Sequence, residues 1–378
     1  MTLSYIIAAL YVYLIFYLYH GWRKLREPGK SDSPTEKIKV SVVVPARNEA
    51  PRIGKLLDNI STQRYPEPWL EVIVVDDASD DTTADVVRQW QERHTLDVKL
   101  VQLEESADNR SPKKRALSEG IRRATATLVV TTDADCRLNE RWIEALVNHH
   151  IATGAKMISG PVRLSPVNGF FQKIQGLEFL SLVGAGAGAI GNANPLMCNG
   201  ANLAFEKEAF DEVGGYRGNE NYASGDDVFL MHKMKEHFAN GAISFLRDRN
   251  AIVDTPAKPN WKAFINQRTR WASKTKAYKD FFSLFAAGVV FMFCIILIIA
   301  LLMAVAGKIT AGHAIALWMV KLLIDLLFLS EIAVFTQQKN LLKWFLPAQL
   351  FVVGYTTIAG FLGSLGGFRW KGRTYNLS

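Results

Sequence analysis

The sequence predicts an α/β domain, a mostly parallel sheet with helices on both faces, flanked by transmembrane α-helices. Three observations carry this. Between residues 40 and 135 short apolar runs alternate with segments of helical periodicity, the pattern of strands joined by helical crossovers. Residues 3–20 and 282–306 contain no Lys, Arg, Asp or Glu, and each is long enough to cross a hydrocarbon core of about 30 Å. Several of the short apolar runs also end in clustered charges, at the carboxyl ends where open parallel sheets bind ligands.

The first segment, "LSYIIAALYVYLIFYLYH", has no basic residues before it and no small-residue cleavage site after it, so it reads as a permanent anchor over 1–22. Arg23, Lys24, Arg26 and Lys30 follow it against one acid, Glu27. Before the second apolar stretch, residues 255–279 hold seven basic residues and no acid. Both edges should then face the cytoplasm, with a domain over 38–255 between them after the polar linker "SDSPTEKIK" (31–39). Inside that domain "VSVVVPA" (40–46) is a fully buried strand, 50–64 a helix, "LEVIVVDDAS" (70–79) a strand, and 80–93 a helix. A third strand at 97–103, a helix at 112–124 and a fourth strand at 126–135 complete the alternation.

The net charge of +8, from 44 basic and 36 acidic residues, is explained by the membrane edges and anionic lipid, so nucleic acid is not an expected partner. Cys136, Cys198 and Cys294 lack the spacing of a zinc site or disulfide framework, and the histidines do not converge. There is no G-x-G-x-x-G after the first strand and no Walker-type loop, so phosphate charge must be handled another way. The stretch "LVVTTDADCR" (128–137) offers one: Asp133 and Asp135, two apart on an extended chain, can address a single Mg²⁺ or Mn²⁺. Without a cation the pair repels.

The motifs "VSVVVPARNEA", "VIVVDDASDDTT", "TTDAD", "SGDDVFL" and "QRTRW" occur in the order seen in membrane-bound family 2 glycosyltransferases, which this sequence resembles over 38–275. Cellulose, hyaluronan and poly-N-acetylglucosamine synthases belong to that family. The resemblance implies a GT-A (Rossmann-like) fold and an inverting, metal-dependent transfer from a nucleotide sugar, in particular a UDP-sugar, at a bacterial-type inner membrane. It implies that Asp77 hydrogen-bonds the uracil, that the turn with Pro45, Arg47 and Glu49 lines base and ribose, and that Asp76 is structural. Lys113 or Lys114 would contact the diphosphate, Asp133 and Asp135 would hold the metal, and Asp227 would be the general base. In "QRTRW" it places Gln267, Arg270 and Trp271 beside the diphosphate and acceptor, on an interfacial amphipathic segment over 256–281. Asp226 stands where many relatives have Glu.

A transmembrane region over 282–368 with three full crossings would put the basic tail (369–378) outside, against the positive-inside tendency. One of the segments 314–335 and 344–368 is therefore expected to be re-entrant or interfacial, with Lys321 and Asp325 neutralising each other on a bundle-facing side and the tail cytoplasmic. The acceptor is expected to be a lipid or glycan presented at the membrane. Processive polymer synthesis is the alternative, a phosphoglycosyl or nucleotidyl transferase a weaker one. A membrane scaffold that has lost catalysis would show a degraded acid set, and here the acids are complete.

Overall fold

The structure is a computed structural model that describes residues 2–27, 36–105, 111–219, 222, 224–365, 368–370 and 373–375. Lys30, most of the linker 31–39 and half of the tail 369–378 lie outside the described residues. In chain order the chain forms α1 (Thr2–Lys24), β1 (Val40–Ala46), α2 (Ala50–Ser61), β2 (Leu70–Asp77), α3 (Thr83–Gln91), β3 (Asp97–Leu103), α4 (Pro112–Arg123) and β4 (Leu128–Thr131). Then follow α5 (Trp142–Thr153), β5 (Met157–Ser159), β6 (Val162–Leu164), α6 (Phe170–Gly191), β7 (Leu203–Glu206), α7 (Lys207–Glu212), α8 (Asp226–His237), β8 (Ile243–Phe245) and β9 (Val253–Thr255). The chain closes with α9 (Trp261–Ser273), α10 (Phe281–Val305), α11 (Ala311–Phe335), α12 (Phe345–Leu365), β10 (Phe368–Trp370) and β11 (Arg373–Tyr375).

Seven strands form one sheet in the order β3-β2-β1-β4-β7-β5-β8, and only β7 runs against its neighbours. The period-2 alternation of the strands sorts the core. Val42, Val44, Val72 and Val74 meet Ile53, Leu57 and Val87 of α2 and α3, while Val43, Ile73 and Val75 meet Leu117 and Ile121 of α4. Helix α4 comes so close that a Cβ on Gly120 would lie 2.4 Å from a Val43 methyl, which is why a helix interior carries glycine here.

Strand β4 ends at Thr131, earlier than the expected 126–135. Asp133 and Asp135 sit in a turn closed by Cys136 N donating to Asp133 O at 3.1 Å, not on extended strand. The alternation survives in burial, because Ala134 and Cys136 point into the core and the two acids do not.

Among the described residues, Thr2–Lys24, Phe170–Gly191, Phe281–Val305 and Lys339–Leu362 hold helices long and apolar enough to cross a membrane. Large exposed apolar side chains concentrate on α1, α10, α11 and α12, the belt that lipid requires. Helix α6 differs, being mostly buried. It packs against β6 and β8 on one side and α1, α11 and α12 on the other. It runs from Phe170 on Trp344 to Gly188, where a Cβ would fall 2.1 Å from the Leu18 carbonyl of α1. The small residues of "GAGAGAIG" thus permit backbone contact between the sheet domain's base and the first apolar helix.

Lys321 in α11 is buried and pairs with Asp325, as the spacing implies, and it also donates to Gln349 Oε1 (2.8 Å) and Tyr11 Oη (3.3 Å). Helix α12 begins beside α6 and leads into β10, which lies against α9 and pairs with β11.

Candidate active site

The strand ends converge as the order of strands dictates, since β1 lies between β2 and β4. After β1 the chain turns at Asn48 (φ 54°), and Arg47 reaches across to donate to the carbonyls of Asp77 (2.6 Å) and Ala78 (2.8 Å). Glu49 N donates to Thr83 Oγ1 (2.9 Å), and its carboxylate pairs with Arg52. Asp76 is tied to Ser79 in its own turn. Asp77 is buried, and Arg115 of α4 holds its Oδ1 at 2.8 Å while donating to Glu104 O (2.9 Å). From sequence alone Arg115 reads only as part of a basic face. Its role in locking Asp77 exists only once α4 is packed beside β2.

A second cluster forms where the loop after β4 meets α8 and α9. Lys113 Nζ lies 2.9 Å from Asp133 Oδ1 and 3.3 Å from Asp226 Oδ2. Burial opposes its charge, but Asp133, Asp226 and Asp227 outweigh burial and hold the ammonium well above the ordinary lysine pKa. Burial likewise works against Asp226, and Lys113, Lys274 and Lys114 overcome it and keep the carboxylate below its usual range. Asp227 Oδ2 accepts from Gly200 N (3.1 Å) and Oδ1 from Val228 N (2.8 Å), with Lys274 Nζ 3.6 Å away. Arg270 donates to Ser224 Oγ at 3.1 Å. Burial lowers the pKa of Arg270, with Asp226 and Asp227 opposing.

Lys113 and Lys114 part company. Lys114 is buried and donates to the carbonyls of Asn219 (2.6 Å) and Tyr222 (2.7 Å), so it fastens the loop before α8, whereas Lys113 faces the acids. In "QRTRW", Gln267, Arg270 and Trp271 all face one cavity. Arg268 borders the same cavity but is buried in a local network: it pairs with Glu178 of α6, stacks on Phe264 (4.4 Å) and Trp271 (4.2 Å), and donates to Gln267 Oε1 (2.7 Å). Tyr355 of α12 donates to the same Glu178 at 2.5 Å.

That cavity has a volume of about 750 Å³. At one end stand Lys113, Asp133, Asp226, Asp227, Arg270 and Lys274; at the other it runs between the apolar helices past Leu18, Phe179, Phe291 and Val352. Pro45, Arg47, Glu49, Asp77, Lys114 and Asp135 are not among its walls. Lys258 does line it, and burial lowers that lysine's pKa against the pull of Asp135 and Asp133.

Among the described residues no three His, Cys, Asp or Glu side chains converge as a closed metal site. At this end of the cavity the carboxylates Asp133, Asp226 and Asp227 stand among the cations Lys113, Lys258, Arg270 and Lys274. A diphosphate entering this cluster would more than cancel its small excess of positive charge, and one divalent cation would offset the charge it brings. One or two protein carboxylates plus phosphate oxygens is the donor set that Mg²⁺ accepts, so the residues fit such an ion held jointly with substrate. The ammonium of Lys113 between two carboxylates marks where positive charge is wanted.

Chemically the arrangement provides a carboxylate oriented by two N–H groups and several cations able to hold an anion, at the mouth of an apolar cavity. Two family models match: "Glycosyl transferase family 2" over residues 41–214 and "Glycosyl transferase family group 2" over 128–362. The chain is 31% identical over 220 residues to Glycosyltransferase AglE of Haloferax volcanii, covering 58% of this chain and 67% of that protein. It is 29% identical over 184 residues to a poly-β-1,6-N-acetyl-D-glucosamine synthase of Staphylococcus epidermidis, covering 46% of this chain and 41% of the synthase. A solved mannosyltransferase, PcManGT from Pyrobaculum calidifontis in complex with GDP-Man and Mn²⁺, superposes with a TM-score of 0.60 at 21% identity, covering 95% of this chain and 98% of that one. The fold is thus shared with that protein across nearly the whole chain.

Proposed function

The chain belongs to the family 2 glycosyltransferases, enzymes acting on nucleotide sugars, and we propose on that premise that it moves a sugar from a UDP-sugar to a lipid or lipid-linked glycan presented by the membrane, with inversion and with a divalent metal. The observation that carries this reading is the single cavity shared by the acid cluster and the apolar helices. A soluble acceptor has no need of walls such as Leu18, Phe291 and Val352.

Asp227 acts as general base. The N–H groups of Gly200 and Val228 fix its carboxylate, and it takes the proton of the acceptor hydroxyl as that oxygen attacks the anomeric carbon. The bond from the anomeric carbon to the diphosphate oxygen breaks in the same displacement, so configuration inverts and UDP leaves. Lys113 and Arg270 stand where the leaving diphosphate gains charge, and Lys274 stays beside Asp227. Asp133 and Asp135 would hold the metal, which neutralises the diphosphate. Asp77, with Arg115 on one oxygen, accepts from the base N–H, and Pro45, Arg47 and Glu49 shape the turn around it. Trp271 and Gln267 face the acceptor side. The domain carrying these residues is placed in the cytoplasm, on the basic side of the membrane edges.

Native membranes supplied with a panel of UDP-sugars, and with GDP-mannose, the donor bound in the Pyrobaculum enzyme, test the reading through nucleoside diphosphate release. Release from one UDP-sugar that stops on chelation and returns with Mg²⁺ or Mn²⁺ is expected. Full activity after complete chelation, or use of GDP-mannose alone, overturns the metal or the uracil assignment respectively.

A further inference from the structure

A second pocket, of about 270 Å³, lies apart from the catalytic cavity and carries three guanidinium groups, those of Arg137, Arg163 and Arg249. They come from three places in the chain: the segment after the Asp133–Asp135 turn, β6, and the short turn before β9. One carboxylate, Asp254, faces them. Arg163 Nε donates to it at 2.6 Å, and Arg137 stands at 3.8 Å. Arg249 has no ion-pair partner among the described residues. Among the described residues the pocket therefore keeps an excess of positive charge, three guanidinium groups against one carboxylate.

Its position is informative. Arg163 Nη1 also donates to Thr336 O at 2.7 Å, capping the end of α11, and Gln337, held at φ 61°, lines the pocket. The pocket thus opens at the domain-facing end of a helix whose outer surface exposes Ile315, Met319 and Leu323, the level at which lipid headgroups lie. The volume suits a phosphate with a few attached atoms and is too small for a nucleotide sugar. Planar guanidinium forks match phosphate oxygens in pairs, which is why arginines rather than lysines suit such a site.

The ribbon β6–β9 separates the two pockets. Arg163 pairs in register with Asp254, and both face the small pocket; their neighbours Leu164 and Thr255 pair next and face the catalytic cavity. Successive residues of a strand point to opposite faces, so one two-stranded wall serves both sites.

We propose that Arg137, Arg163 and Arg249 form a binding site for a phosphate oxyanion, supplied by the headgroup of an anionic membrane lipid, and that its occupancy braces the ribbon walling the catalytic cavity. The bracing half rests on the functional reading above; the binding half does not. The test uses the full chain in detergent, titrated with phosphatidylglycerol, phosphatidylcholine or inorganic phosphate and read by native mass spectrometry. The comparison is with Arg137→Ala/Arg249→Ala, which spares the Arg163 cap of α11, and with Arg249→Ala alone, which leaves the segment after Asp135 unaltered. One phosphatidylglycerol bound in preference to phosphatidylcholine, weakened about tenfold or more in the double variant and less in the single one, is expected. Equal phosphatidylglycerol retention by all three proteins overturns the site. Binding of inorganic phosphate without the lipid, lost in the double variant, keeps the oxyanion chemistry but overturns the lipid source. If the lipid binds as expected while transfer in phosphatidylcholine nanodiscs equals that in phosphatidylglycerol nanodiscs, the bracing half fails and the binding half stands.

Discussion

Replacing Asp227 by Asn separates chemistry from architecture at the proposed base. The carboxylate accepts two backbone N–H bonds, from Gly200 at 3.1 Å and Val228 at 2.8 Å. An amide of the same shape can accept one of them through its oxygen and must turn its NH₂ toward the other donor. The structural loss is then about one hydrogen bond with its partner left unsatisfied, about 1–3 kcal/mol. Lys274, 3.6 Å away, also loses a charge partner. The catalytic loss is larger, because general-base assistance contributes about 10²–10⁴ in rate, or about 3–5 kcal/mol of barrier. Nucleoside diphosphate release from membranes, measured with saturating donor, should therefore fall by that factor. Affinity for UDP should change little, since Asp227 serves the acceptor hydroxyl. Turnover within about threefold of the parent refutes the base assignment. A loss of UDP affinity as large as the loss of turnover refutes it too, because Asp227 would then act through the fold of the donor site.

Three further expectations follow from the geometry. Arg115→Ala removes the clamp on Asp77 Oδ1 and the bond to Glu104 O, so the donor KM should rise about tenfold with turnover little changed; an equal fall in turnover with unchanged KM contradicts the assignment. Glu178→Leu leaves the guanidinium of Arg268 buried without its carboxylate, at a cost of about 3–5 kcal/mol, so thermal unfolding in detergent should come at markedly lower temperature; an unchanged midpoint argues against the pair. Burial opposes the charge of Glu71, but Lys99 (2.6 Å), Ser41 (2.5 Å) and Thr125 outweigh it and pull its pKa down to about 2. Because the folded value lies below the unfolded one, its contribution is complete above about pH 4.5 and is lost as pH falls toward 2, so Glu71→Gln should flatten the acid limb of an unfolding-versus-pH curve, and parallel curves contradict this.

How much of this is legible in the sequence depends on the range of the forces involved. The runs "VSVVVPA" and "LEVIVVDD" give their strands within a residue or two because a strand buried on both faces needs only apolar side chains, whatever its neighbours are, while "DVKLVQL", the partly exposed edge strand, is marked by its mixture of apolar and polar residues. That Asp77 and Asp133 lie at one edge of the sheet follows from the alternation of strands and helices, since the parallel strands β2 and β4 deliver their carboxyl ends to the same side, whereas Asp227 arrives on the first turn of α8. The turn that carries Asp133 and Asp135 is not given by that logic: period-2 burial is the same on a strand and on this extended turn, and only the hydrogen bond from Cys136 to Asp133 distinguishes them.

What the sequence withholds is pairing at long range. Arg115, Lys258 and Lys274 look like other surface cations, and nothing local tells a lysine in "QRTRWASK" that Asp227 lies beside it. Helix α6 is the sharper case. Its residues are apolar enough for a crossing, yet Glu178 in its middle would be intolerable facing lipid. The conflict resolves only when Arg268 arrives from 90 positions away and Tyr355 from 177, turning a charge that forbids one placement into the bond that requires another. Because Arg268 sits between Gln267 and Arg270 in the chain and stacks on Trp271, that same bond ties this stretch of α9 to α6 at the cavity wall. The motif supplies side chains that line the cavity, and the buried Glu178, outside every motif, anchors them.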